Sequence, residues 1–250
     1  MPAILTTRQL GLDIGGATIV AGVDLEVPEG EFLGIIGPNG AGKTSLFNLL
    51  SGLLRPTAGA IELRGRDVTH DPVHLRTKRG LGRTFQISSV FPGLSALENV
   101  RLAAEASLGG ALRLWRRASA VRAAIDRARW ALDRVGLGDR EGVVAGSMAH
   151  GDKRKLELAM LLAADPSVIL LDEPMAGVSS GDVPELVEVI RAVHREEKKT
   201  VLMVEHHMAV VTGLAERIAV MHHGSLLAID TPERVMENEG VQSAYLGEPL

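Results

Sequence analysis

Residues 37–44 read Gly-Pro-Asn-Gly-Ala-Gly-Lys-Thr, which puts three glycines, a lysine and a hydroxyl within eight positions. That set of residue types suits a phosphate. Phosphate oxygens need many donors close together, and Gly37, Gly40 and Gly42 let successive backbone N–H groups point inward. A helix starting there adds its positive end. Lys43 would reach the outer phosphates and the Thr44 hydroxyl would hold a divalent cation. The expected cradle comprises Gly37, Pro38, Asn39, Gly40, Ala41, Gly42, Lys43, Thr44 and Ser45. The plainer alternative is an ordinary glycine-rich turn, and the flanking elements must decide between the two.

A cation beside a phosphate calls for a carboxylate. Residues 168–173 read Val-Ile-Leu-Leu-Asp-Glu, an apolar strand ending in acids. Such a strand delivers its acid to the carboxyl edge of a sheet, beside the glycine loop. Asp172 is therefore expected on the cation side, and Glu173 is expected to orient or deprotonate an attacking water. Taken alone, the same letters fit a strand that ends in solvated acids. Together with residues 37–44 they point to hydrolysis of ATP, with Mg²⁺ as the cation.

The elements that must position these groups are legible. Residues 3–14 and 19–27 have strand composition around the turn Gly15-Gly16. Residues 32–36 form a short apolar run that reads as a buried strand. Residues 45–54 carry Leu46, Phe47, Leu49, Leu50 and Leu53 at helical spacing. Strand, glycine loop and helix thus follow in the order a phosphate loop requires. Residues 60–68 read as further strand. From about 94 to 164 alanine, leucine and arginine dominate, which predicts a helical lobe inserted into an α/β core and ended by Asp165-Pro166. Strands are expected at 167–171 and 200–204, a helix at 183–195, and a hairpin pairing 218–221 with 226–229. Thr231-Pro232 reads as the start of another helix.

Composition narrows the classes further. A chain of 250 residues can bury a sizeable core as one domain. Its net charge of −4 gives no whole-chain footprint for nucleic acid, and 3% aromatics leave few base-stacking platforms. There are no cysteines, so disulfides and cysteine zinc sites are excluded. The start, Met1-Pro2-Ala3-Ile4-Leu5, does not read as a signal peptide, and no apolar run reaches spanning length. A membrane role would be peripheral.

Between and beyond the two phosphate motifs the chain resembles the ATP-binding cassette (ABC) ATPases over essentially its full length. Thr84-Phe85-Gln86 is similar to the family's Q-loop, which implies Gln86 as a contact to Mg²⁺ and the attacking water. Residues 149–155, Ala-His-Gly-Asp-Lys-Arg-Lys, are similar to the signature segment, with Gly151 and a helix start offered to a phosphate. Residues 175–182 take the D-loop place. Val204-Glu205-His206 resembles the switch segment, which implies His206 at the γ-phosphate. The wording TFQ…FP…LSALENV, HGDKRKLELA, LDEPMAG and TPERV…AYLGEPL is similar to the LivG branch, the ATPases of branched-chain amino acid, amide and urea importers. The ATPase of lipopolysaccharide export shares part of it.

The resemblance implies a fold and partners. The fold is α/β: a P-loop NTPase (RecA-like) core with an antiparallel β-subdomain and an inserted α-helical subdomain. Residues 1–250 would be one ABC ATPase domain, with the core at 1–86 and 165–250 and the helical part at about 87–164. Family members pair head to tail, so each ATP lies between one chain's P-loop and the other's signature. The implied partners are transmembrane permease subunits, a second ABC ATPase (a copy or a relative) and, indirectly, a solute-binding protein, with no nucleic acid. The implied place is cytoplasmic, on the inner face of the cell membrane.

Three positions depart from the family pattern. The usual signature serine is Ala149, the common D-loop aspartate is Ser179, and the adenine-stacking aromatic is Ile14. The expectation is a competent P-loop half and a weaker signature half. Residues 88–94, with Val90, Phe91 and Leu94, are expected at the surface that receives the permease rather than in the core. The arginines at 113, 116, 117, 122, 127, 129 and 134 read as a solvated helix face before anything else. His206-His207 and His222-His223 are expected on strands, where neighbours face opposite ways, so neither pair is a ready chelate. A non-transport ABC ATPase acting on nucleic acid would be expected to carry twin cassettes or basic inserts, which are not seen.

Overall fold

The computed structural model describes residues 2–84, 90–107 and 117–246. The chain begins with two long antiparallel strands, β1 (Ala3–Ile14) and β2 (Ala17–Pro28), turning at Gly15-Gly16. The short central strand β3 (Phe32–Ile36) is buried at every residue. Helix α1 (Lys43–Ser51) follows the glycine loop. It is shorter than the expected 45–54 because Gly52 turns left-handed, at φ 83°, and returns its N–H to the Leu49 carbonyl. Leu53, read as part of the buried face, is left 48% exposed.

Residues 60–68 form a hairpin rather than one strand. It is built of β4 (Ala58–Leu63) and β5 (Arg66–Asp67), turning through Arg64 and Gly65, both at positive φ. Two elements missed in the sequence come next, the one-turn helix α2 (Val73–Lys78) and the strand β6 (Leu81–Arg83). The helical part contains α3 (Ala96–Ser107), α4 (Arg117–Arg134) and α5 (His150–Ala164). Between α4 and α5 the chain runs through short turns, and Ser95 bridges Val144, so this part is not helical throughout. As expected, α5 stops at Asp165-Pro166, where Asp165 adopts φ 55°.

The rest alternates: β7 (Val168–Asp172), α6 (Val183–Arg195), β8 (Thr200–Val204), α7 (Met208–Leu214), β9 (Arg217–His222), β10 (Ser225–Asp230), α8 (Pro232–Glu237) and α9 (Glu239–Leu246). The main sheet runs β10-β9-β3-β8-β7-β6, parallel except for β10. The second sheet runs β2-β1-β4-β5 and is antiparallel.

Strand alternation divides the interior. On β3, Leu33 and Ile35 face a core shared with α1 and the antiparallel sheet, while Phe32 and Ile36 face a core shared with the α3–α6 side. Helix α1 is thus clamped between two sheets, with Leu46, Phe47, Leu49 and Leu50 at most 1% exposed. Each such side chain contributes roughly 1.5–3 kcal/mol on leaving water. The end of α1 is closed by Arg76 of α2, itself 1% exposed, which donates to the Leu49 and Leu50 carbonyls at 2.6 and 2.7 Å. Burial lowers the Arg76 pKa to about 10, so it stays charged at neutral pH. Among the described residues no helix is long and apolar enough to cross a membrane.

Candidate active site

Four parallel strands end at one edge of the main sheet. The pairing of Ile35 and of Asp172 with Val204, and of Arg83 with Leu170, brings the ends of β3, β8, β7 and β6 together. Everything attached to those ends therefore faces one site, as the sequence order required.

The glycine loop after β3 is shaped by close backbone packing. A Cβ on Gly37 (φ 150°) would lie 2.1 Å from the Met221 carbonyl oxygen, and one on Gly42 (φ 96°) 2.8 Å from that of Ile19. No side chain fits at either place. Gly224, in the β9–β10 turn, donates its N–H to the Ala41 carbonyl and so supports the loop from behind. Asn39 and Gly40 are exposed, Pro38 half-buried, and Ala41 buried. Lys43 is 6% exposed and folds back over the loop, its Nζ donating to the carbonyls of Gly37 at 2.6 Å and Pro38 at 2.8 Å. Burial lowers the Lys43 pKa, and the charges of Glu173 and Asp172 oppose that shift. The ammonium is thus held by the loop's own carbonyls while it feels the charges of both acids. Thr44 is exposed and Ser45 half-buried in the first turn of α1.

Asp172 ends β7 at 2% exposure. Burial pushes its carboxyl up, against the pull of Arg83, whose guanidinium donates to Asp172 Oδ2 at 2.7 Å. The other oxygen, Oδ1, is buried and has no hydrogen-bond partner among the described residues. A buried carboxylate oxygen costs free energy unless something meets it. Hard oxygen donors suit Mg²⁺, so Asp172 Oδ1 fits the cation expected there, and Thr44 offers an exposed hydroxyl in the first turn of α1.

Glu173 has φ 48°, a left-handed conformation that costs a non-glycine residue about 1–3 kcal/mol. The turn is held by its N–H donating to the Val204 carbonyl and by the Ala176 N–H donating to its own carbonyl. This geometry turns the carboxylate toward His206, whose Nε2 lies 3.1 Å from Glu173 Oε1. His206 and His207 lie beyond the end of β8, not on a strand, so the expectation of opposite-facing neighbours does not apply to them. His222 and His223 sit at the β9–β10 turn with ring centroids 3.9 Å apart.

Two further residues of this edge were missed in the sequence. Glu205, 3% exposed, accepts the Met175 N–H on Oε1 at 2.8 Å and the His206 N–H on Oε2 at 2.9 Å. It ties the turn after Asp172 to the segment bearing His206. The signal was present: residues 201–205, Val-Leu-Met-Val-Glu, repeat the pattern of an apolar strand ending in an acid that singled out Asp172. Arg83 had no such signal until β6 was recognised.

The remaining expected residues are placed as follows. Gln86 lies outside the described residues. Ile14 ends β1 and is 53% exposed, with no aromatic ring to offer. Gly151 is buried in the first turn of α5 against Asp182. Ala149 is the exposed N-cap of that helix and supplies no side-chain cap. Residues 152–155 make contacts to Arg140 through Asp152, to Gly146 through Lys153, to Glu157 and Ala176 through Arg154, and to Glu185 through Lys155. The Ser179 hydroxyl is engaged with Asp182 at 2.8 Å. Phe91 is 53% exposed, while its backbone is fixed by Asn99 at both N–H and carbonyl. Of the arginine run, Arg127 pairs with Asp165, Arg129 with Glu141 and Arg134 with Glu196, so these three meet this chain's own acids.

Comparison with known proteins agrees with this geometry. Residues 20–176, more than half of the chain, match the ABC transporter family. The high-affinity branched-chain amino acid transport ATP-binding protein LivG of Salmonella typhimurium is 38% identical over 252 residues, 98% of each chain. The counterpart BraF of Pseudomonas aeruginosa is 36% identical over 98% of each chain. The lipopolysaccharide export ATP-binding protein LptB of Acidithiobacillus ferridurans is 34% identical over 99% of this chain and 98% of its own. Among solved structures, a nucleotide-free ATP-binding cassette from an ABC transporter superposes with a TM-score of 0.85, covering 98% of this chain and all of that one at 24% identity. A dimeric bacterial ABC transporter cassette gives 0.76 at 25% identity, covering 91% of this chain and 98% of that one. With the phosphate loop, the acid-tipped strand and the sheet order in place, the chain belongs to the ABC transporter family as one of its ATPase cassettes.

Proposed function

We propose that this cassette energises an importer of branched-chain amino acids or a related small polar solute. The observation that carries the reading is the 38% identity to LivG over 98% of both chains. The lower identity to LptB, 34%, makes lipopolysaccharide export the second reading. In this role the chain works on the cytoplasmic face, held to transmembrane permease subunits and paired with a second cassette. The likeness to a dimeric cassette supports the pairing. The cassette would be a single unit, with its core at 1–86 and 165–250 and its helical part at about 87–164.

At the site, the loop from Gly37 to Ser45 cradles the phosphates, and Lys43 leaves the loop carbonyls to meet the outer ones. Thr44, Asp172 and Gln86 are the residues that would hold Mg²⁺, which supplies charge neutralisation on the phosphates when bound. Glu173 accepts or orients the proton of the attacking water, and His206, already within hydrogen-bond distance of that carboxylate, orients the pair toward the γ-phosphate. Ile14 gives apolar contact to adenine. Gly151 serves the partner's nucleotide through the start of α5.

The test is to isolate the native complex, identify its subunits, and measure which solute stimulates its ATPase. Stimulation by a branched-chain amino acid or an amide, with permease subunits present, is the expected result. Copurification with lipopolysaccharide export components would overturn the importer reading.

A further inference from the structure

We propose that Arg83 is a positioning residue for the metal-facing carboxylate: it ties one oxygen of Asp172 to the phosphate-loop helix and thereby aims the other at the cation. The proposal rests on the reading of the site given above. Arg83 is the last residue of β6, with its side chain 7% exposed. Its Nη1 donates to Asn48 Oδ1 and to Ser51 Oγ, each at 2.8 Å, and both acceptors lie on α1. Its Nη2 donates to Asp172 Oδ2 at 2.7 Å. The guanidinium also stands 5.8 Å from the centroid of the Phe47 ring, again on α1. One planar group thus joins three elements: the strand that carries it, the helix that follows the glycine loop, and the strand that ends in Asp172.

The geometry is informative in what it withholds. An arginine facing a carboxylate commonly takes both oxygens in a fork. Here two of its donors go to Asn48 and Ser51 on one nitrogen, and Asp172 is met on Oδ2, while Oδ1 stays buried without a partner among the described residues. Groups that orient a metal ligand through its far atom typically change metal affinity 10–100-fold when removed. A lysine could keep the charge but not the planar fork. The competing explanation is a purely structural ion pair that offsets burial. It predicts lost stability with no preference for the metal-dependent step.

The experiment uses the full chain and equilibrium binding of a non-hydrolysable ATP analogue, measured without divalent cation and across a Mg²⁺ titration. Arg83→Met is expected to raise the Mg²⁺ concentration for half-maximal effect roughly tenfold, while binding without Mg²⁺ stays within about twofold. Arg83→Lys should recover part of the shift. Asn48→Ala, which leaves the ion pair in place, should move it in the same direction by less, and it keeps the test alive if Arg83→Met does not fold. Equal losses with and without Mg²⁺, or an unchanged Mg²⁺ midpoint in the variants, would overturn the proposal. Absence of any Mg²⁺ effect in the unsubstituted chain would instead overturn the reading of the site itself.

Discussion

Around the glycine loop the charged groups point inward to buried partners, whereas at the start of α5 they point outward and sideways. Lys43, Asp172 and Glu205 are 6%, 2% and 3% exposed; Lys43 is held by the carbonyls of its own loop, and the two acids are held by contacts to other parts of the edge. Ala149 and His150 are exposed, the helix lacks a side-chain cap, and Asp152 is drawn off to Arg140. The body of α5 is tied to its surroundings by Lys155, which pairs with Glu185 of α6, and by Arg154, which donates to the Ala176 carbonyl, while its N-cap is open. On the proposed reading, one half-site is built by the chain's own glycine loop and acid-tipped strand. On the same reading, the other is the uncapped start of α5, whose first N–H groups would meet an acceptor from outside. A cassette that must close on a second copy or relative is expected to divide its site this way. On that proposal the rigid, buried half would keep the chemistry ready, and the open half would respond to what docks against it.

The largest break should come in the rigid half. Glu173→Gln keeps shape and hydrogen-bonding reach but cannot take a proton. Turnover is expected to fall about 10²–10⁴-fold, with nucleotide affinity retained, because binding is proposed to rest on Lys43 and the loop. Single-turnover hydrolysis and equilibrium nucleotide binding on the same sample check this. Near-normal turnover would remove Glu173 from the role and leave its left-handed backbone, φ 48°, without a functional reason.

A middle-sized effect is expected in the open half. Ala149→Ser adds a hydroxyl where a hydrogen bond to a charged phosphate is worth about 1.5–3 kcal/mol. Nucleotide affinity at the partner's P-loop should therefore rise by about 10- to 150-fold in the assembled transporter. The same hydroxyl can instead cap α5, which stabilises a helix by about 1 kcal/mol. Melting of the isolated chain separates the two. A higher Tm with unchanged affinity in the assembly would mean that the half-sites are not uneven at this position.

The halves also differed in how well they could be read from sequence. The glycine loop is local: eight consecutive residues and their flanking strand and helix carry it. The acid-tipped strand is local too, which is why Asp172 and Glu173 were legible. Glu205 carries the same signal, an apolar strand ending in an acid, but in the switch segment the resemblance singles out only the next residue, His206. Arg83 was hidden for a different reason. Its partners Asn48, Ser51 and Asp172 are 32 to 89 positions away, and only the pairing of the three-residue strand β6 with β7 brings them together. The overreach at α1 was one of boundary, since the apolar spacing continued to Leu53 while Gly52 had already ended the helix. Residues 135–149 lie inside the stretch expected to be helical, yet they carry four glycines, at 136, 138, 142 and 146, against one in α4 and α5 together, and they form short turns.

The smallest effect should appear at the surface beside the open half. Phe91 presents a ring to solvent from a rigid backbone, and its neighbours pair with the chain just before the signature segment: the Gly146 N–H donates to the Pro92 carbonyl, and the Ala145 N–H to that of Leu94. Val143 and Val144, on the same stretch, are 38% and 47% exposed. An apolar surface fixed to residues 143–146 is suited to pass a docking event to Ala149 and the start of α5. Phe91→Asp is expected to weaken assembly with the permease by about tenfold, the scale of truncating one good interface aromatic. Nucleotide binding by the isolated chain should be unchanged, because the ring contributes nothing to the rigid half. Pull-down with the permease and nucleotide titration of the free chain give the two numbers. Loss of nucleotide binding would show that the two halves are not independent in the free chain, and unchanged assembly would move the docking surface away from Phe91.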